Sequence, residues 1–117
     1  MREEFLANLY DEICDYTDIR IVKLAQPLNA IAFINSKEEA VILFFTENVP
    51  HEHTKRDYVK LVTKRLAAME PGCITREIIE VSPKDHDKHQ VYAQEIKRCL
   101  GNHTSVSKDE FDVVISI

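Results

Sequence analysis

Glycine is nearly missing from this chain: there are two in 117 residues, together with four prolines, three cysteines and no tryptophan. Two glycines cannot build a loop that cradles phosphate, and neither G-x-x-x-x-G-K-[ST] nor G-x-S-x-G occurs, which sets aside P-loop nucleotide hydrolysis and α/β-hydrolase chemistry. The same scarcity leaves no low-complexity linker, so residues 1–117 are expected to form a single domain folded throughout. Cys14, Cys73 and Cys99 are odd in number and far apart. They never form C-x-x-C, so neither a disulfide framework nor a zinc knuckle is indicated, and reduced, buried thiols are expected. No stretch approaches the roughly 18 consecutive apolar residues of a membrane span. The start, MREEFLANLYDEICDY, is acidic where a secretory signal needs a basic segment and an apolar run. The expectation is a cytoplasmic protein without membrane contact and without a cofactor, in which the sequon Asn102-His103-Thr104 is inert.

What is present is charge, and it is unevenly placed. The net charge is -5, with 20 acids against 15 bases. Six acids and one base fall within the first 18 residues, and the remaining 14 acids and 14 bases cancel. The whole imbalance therefore belongs to the first segment.

Residues 2–16 carry Phe5, Leu6, Leu9, Tyr10, Ile13 and Cys14 at three-and-four spacing, which predicts an amphipathic helix with an acidic outer face. Three strand-like runs follow, Ile19 to Ala25, Asn29 to Asn35 and Ala40 to Thr46, and the short breaks between them predict an antiparallel meander. Ala30-Ile31-Ala32-Phe33-Ile34 and Val41-Ile42-Leu43-Phe44-Phe45 do not alternate with polar residues, the pattern of strands covered on both faces. A helix of the same chain or a second subunit must supply the second cover. Thr54 is a fitting N-cap for a second helix that ends at Pro71-Gly72, with Tyr58, Leu61, Val62, Leu66 and Met69 as its core face. Ile74 to Val81 reads as a fourth strand. Ser82-Pro83-Lys84-Asp85 predicts the start of a third helix, with Gly101-Asn102 as a left-handed stop. Phe111, Val113, Ile115 and Ile117 alternate as a last strand. The expected fold is α/β-type (α+β), a three-stranded antiparallel meander extended by two further strands with three helices, in the order αβββαβαβ.

The order helix, three-strand meander, helix, strand is similar to the core of restriction-endonuclease-like nucleases. Their Mg²⁺ chemistry needs an acid beginning the second strand and an acid-x-lysine on the third, where this chain has Asn29 and Phe44-Phe45-Thr46-Glu47. Without those carboxylates the metal has no ligands, and the resemblance implies at most a nuclease-shaped domain that binds without cutting.

Three side-chain groups could carry function. The acidic face Glu4, Asp11, Glu12 and Asp15 suits docking on a basic protein surface, where complementary charge speeds encounter and selects partners. On the second helix Arg56, Lys60 and Lys64 recur every four residues as a basic stripe that could track phosphates, although an acidic chain without interleaved aromatics makes nucleic acid the lesser expectation. His51 and His53, with Asp57, His86 and His89, could converge on a metal, because residues two apart in an extended segment and three apart on a helix point the same way. Solvated loop histidines would look the same. The leading expectation is a non-catalytic intracellular protein-binding module of the small acidic inhibitor or immunity kind, acting through its first helix on another protein or on a second copy as a homodimer. A metal-dependent hydrolase or nuclease-like domain using the histidines, or a nucleic-acid binder using the second helix, is the alternative.

Overall fold

The computed structural model describes residues 2–14, 18–24 and 28–101. Helix α1 spans Arg2–Ile13, strands β1, β2 and β3 span Arg20–Leu24, Ala30–Ile34 and Glu39–Phe45, helix α2 spans Lys55–Met69, strand β4 spans Ile74–Val81 and helix α3 spans His89–Leu100. The sheet order is β1-β2-β3-β4. Strands β1 to β3 form the expected antiparallel meander, and β4 runs parallel to β3 after the α2 crossover. The fold is α+β with three helices. The last expected strand, Phe111 to Ile117, lies outside the described residues.

The unbroken apolar runs have the predicted cause. Every residue of β2 and β3 is buried. On one face Phe33, Val41, Leu43 and Phe45 pack against Phe5, Leu9 and Ile13 of α1 and Ala93, Ile96 and Leu100 of α3. On the other, Ala32, Ile34, Ile42 and Phe44 meet Tyr58, Val62 and Leu66 of α2. Both covers come from this chain, so the sheet faces need no second subunit. Each buried Phe or Leu contributes about 1.5–3 kcal/mol by leaving water, which is why two internal strands dominate the core.

Local signals held at some ends and failed at others. Thr54 caps α2 by accepting from the Asp57 backbone N–H at 3.1 Å, and Gly72 takes the left-handed φ of 91° that turns the chain into β4. The signal at Ser82 gives only a 3-10 turn over Pro83–Asp85, and α3 begins at His89. Ser82 Oγ is bonded to Asp85 Oδ2, which also accepts from the Tyr92 hydroxyl, so the capping hydroxyl is engaged by a side chain and not by the helix backbone. Of the expected left-handed stop Gly101-Asn102, Gly101 has a φ of -77° and Asn102 lies outside the described residues. Helix α3 is closed instead by Asn35, whose Nδ2 donates to the Leu100 carbonyl. Leu61 and Met69, expected in the core, are 42% and 44% exposed. A helix on one sheet buries only the centre of its apolar stripe; Leu61 is on the shoulder of that stripe and Met69 falls in the last turn. Cys14 is exposed and not buried, while Cys73 and Cys99 are half-buried.

Among the described residues no helix is long and apolar enough to cross a membrane.

Candidate functional site

The acidic face of α1 is exposed at Glu4 and Asp11 and partly covered at Glu12. Phe5, Leu9 and Ile13 point into the core, which turns Glu3, Glu4 and Asp11 outward, and all three are exposed. Glu3 and Glu4 lie in the first turn, where the helix dipole favours them. Glu12 is half-buried on the side toward α3, with its Oε1 3.8 Å from Lys97 Nζ. Asp15 lies outside the described residues.

On the opposite side of the sheet, α2 turns Arg56, Lys60 and Lys64 outward because Tyr58, Val62 and Leu66 face inward. All three cations are exposed, and among the described residues none of them pairs with an acid. At 1.5 Å rise per residue they stand about 6 Å apart along the axis. Their neighbour Lys55 behaves differently, with Nζ 3.0 Å from Glu80 Oε1. Arg65 is exposed as well, and exposed Leu61 and Ala67 put apolar surface beside the basic row.

The histidines are not gathered. His51 is exposed and His53 half-buried in the loop before α2, and Asp57 is exposed in the first turn of that helix. His86 precedes α3 and so does not share a helical face with His89. Its ring lies 5.9 Å from that of Phe5 and 5.4 Å from that of Phe45, and its Nε2 is buried without a hydrogen-bond partner, 3.7 Å from Glu47 Oε2. His86 and His89 share a cleft of about 420 Å³ with Glu4 and Asn8. Among the described residues, one trio of candidate donors has its ligand atoms within 4.8 Å of one another, and it is Glu77, Glu95 and Cys99.

The places compared with a nuclease core do meet, since β2 begins where β3 ends. Asn29, left-handed at φ 54°, accepts through its carbonyl from Asn48 Nδ2 at 3.2 Å. The carboxylate nearest that rim on β4, Glu80, accepts from Thr46 Oγ1 at 2.6 Å and pairs with Lys55. Burial pushes its pKa up, but Thr46 and Lys55 outweigh burial and the net shift is downward, which keeps Glu80 ionised.

At the other rim lies a polar cluster that no local pattern announced. Buried Glu39 opens β3 and receives Arg76 Nη2 at 2.6 Å, Arg76 Nε at 3.1 Å and Asn35 Nδ2 at 2.9 Å. A register shift opposite Ala40 and Val41 leaves Arg76 out of step, so consecutive side chains reach different partners: Arg76 takes Glu39, and Glu77 takes Arg98 and Cys99. Arg98 Nη2 lies 2.6 Å from Glu95 and 3.2 Å from Glu77, so one guanidinium already pairs with both acids. Cys99 Sγ donates to Glu77 Oε1 at 2.7 Å, and burial together with that bond pushes its thiol up to about 12. A thiol so protonated is no nucleophile at neutral pH. Only the Glu95/Arg98 spacing of three was visible in the sequence; the rest depends on pairing between residues far apart in the chain.

No family model, curated protein or solved structure matches this chain.

Proposed function

We propose that the chain is a non-catalytic protein-binding module whose docking surface is the outer face of α2. The observation that carries this reading is the row Arg56, Lys60 and Lys64, exposed and without an acidic partner among the described residues, beside exposed Leu61 and Ala67. Of the bases outside this row, Arg20, Lys55, Arg76, Lys88, Lys97 and Arg98 each reach an acid, whereas Lys23, Lys37, Arg65 and Lys84 stand singly and form no such row. An unneutralised row steers an acidic partner, and adjoining apolar side chains supply the desolvated contact that a protein interface needs at its centre. Part of the acidic face of α1 is instead tied to Lys97 through Glu12.

A nucleic-acid strand is the second reading, favoured by the regular spacing of the basic row. Capture from nuclease-treated cell extract by immobilised protein, quantified by mass spectrometry, tests the first. The Arg56→Glu, Lys60→Glu, Lys64→Glu variant should lose the bound proteins, and unchanged capture would overturn the α2 surface. Loss of capture on nuclease treatment alone, with duplex binding that weakens steeply with salt, would transfer the surface to nucleic acid.

A further inference from the structure

The basic face of α2 and the acidic face of α1 cannot neutralise one another within one molecule. Helix α1 packs on one face of the sheet with Phe5, Leu9 and Ile13, and α2 packs on the other with Tyr58, Val62 and Leu66. The sheet lies between them. Their outward rows therefore point in opposite directions, Glu3 and Asp11 on one side and Arg56, Lys60 and Lys64 on the other. Helix α2 holds five bases and one acid, and the first 18 residues hold six acids and one base. The two helices have 12 and 15 residues, and the rows Glu3–Asp11 and Arg56–Lys64 within them each run about 12 Å along the axis, so they match in reach.

We infer that the acidic partner of the α2 face is the α1 face of a second copy of this chain, in a head-to-tail contact. This inference rests on the α2 docking surface proposed above and gives it an occupant. A two-fold dimer through either helix would set like charge against like charge. A contact between unlike faces leaves an acidic face free at one end and a basic face free at the other, so copies add until a ring closes or a chain grows. Contacts made by exposed pairs are individually weak and screened by salt, so the assembly is concentration-dependent and reversible. Exposed Leu61 and Ala67 and, on α1, exposed Ala7 give the two rows small apolar surface to bring together.

Sedimentation velocity on the full chain tests it. At low salt the wild type should sediment faster as concentration rises, through species larger than a dimer, and return to monomer at high salt. Two variants reverse one row each: Glu3→Lys with Asp11→Lys makes the outward row of α1 basic like that of α2, and Lys60→Glu with Lys64→Glu leaves the row of α2 with two acids against Arg56, net acidic like that of α1. Each alone should stay monomeric, and an equimolar mixture should associate again. All four positions are exposed; if either reversed variant is misfolded by circular dichroism, Glu3→Gln with Asp11→Asn and Lys60→Gln with Lys64→Gln replace them, and each should then lose association. A wild type that stays monomeric at low salt, an assembly that stops at a two-fold dimer, or a mixture that does not associate overturns the inference. Monomeric wild type with α2-dependent capture of another protein would retain the docking surface and reject self-association, whereas monomeric wild type with capture indifferent to α2 would reject both.

Discussion

Asn35 joins the β2–β3 turn to the end of α3, donating from Nδ2 to the Leu100 carbonyl at 3.1 Å. The same amide nitrogen donates to Glu39 Oε1 at 2.9 Å, while Oδ1 accepts from the backbone N–H groups of Lys37 and Glu39 at 3.0 and 2.9 Å. One buried side chain thus satisfies a helix-end carbonyl, two turn donors and a buried carboxylate. Replacing it strands several of them at once. Asn35→Ala should cost about 2–4 kcal/mol in urea unfolding, since each buried group left without a partner costs roughly 1–3 kcal/mol. Asn35→Asp keeps the acceptors but loses both donors and sets a second carboxylate against Glu39, so it should be less stable than Asn35→Ala at neutral pH. An aspartate variant as stable as wild type would show that the amide donors contribute nothing.

Glu38 occupies the left-handed position of that same turn, at φ 62°, where glycine is the unstrained choice. Its carboxylate meets Arg20 through two bonds at 3.0 and 3.3 Å, and Arg20 also reaches Glu70 at 2.7 Å, so the strained residue helps hold β1 to the end of α2. Two substitutions separate strain from pairing. Glu38→Ala keeps the strain and loses the pair, whereas Glu38→Gly loses both. Thermal melts should therefore rank Glu38→Gly above Glu38→Ala, and the reverse order would mean that the backbone there carries no strain.

These two positions also show what the sequence could and could not convey. Unbroken apolar runs in β2 and β3 announced strands covered on both faces, because burial on two sides is written into every residue of the run. Thr54 and Pro71-Gly72 marked the ends of α2 because capping chemistry is local. Asn35 was invisible as a helix cap since its partner Leu100 is 65 positions away. The φ of Gly101 is no more legible locally, since the carbonyl before it is satisfied by that distant amide. The acidic and basic helix faces were legible as patterns, but that Glu12 faces Lys97 while Lys60 and Lys64 face solvent depends on which helix lies beside which.

Three buried or half-buried groups, Tyr58, Tyr92 and Cys99, are pushed up to about 12 from ordinary values of 10.0, 10.0 and 9.0. Burial is the leading cause for all three; the Asp85 bond adds to it for Tyr92 and the Glu77 bond for Cys99. Tyr58 donates to the Leu28 carbonyl. A group held neutral in this way contributes stability that is complete below its ordinary pKa and lost as pH climbs toward the folded value. Stability should accordingly fall between pH 9.0 and 12, with Cys99 contributing from the lower end and the tyrosines from pH 10.0 upward. Melting temperatures measured across that window should decline less steeply near its lower end in Cys99→Ala than in wild type. Parallel profiles would mean that the thiol is not linked to folding.

Tyr10 sits on the groove of about 580 Å³ between α1 and strands β1 and β2, which it lines with Leu6, Leu24 and Ile31. Its ring packs 6.4 Å from Phe33, while its hydroxyl oxygen is buried and has no hydrogen-bond partner among the described residues. The ring contributes to the core and the oxygen opposes it, because a buried hydroxyl without a partner forfeits its bonds to water. Tyr10→Phe removes only the opposing atom and should raise stability by up to about 1–3 kcal/mol, with an unchanged m value in urea. A loss of stability in Tyr10→Phe would mean instead that the hydroxyl is bonded in solution, by water in the groove or by a residue outside the described ones, and that the groove is wetter at that point than its apolar walls imply.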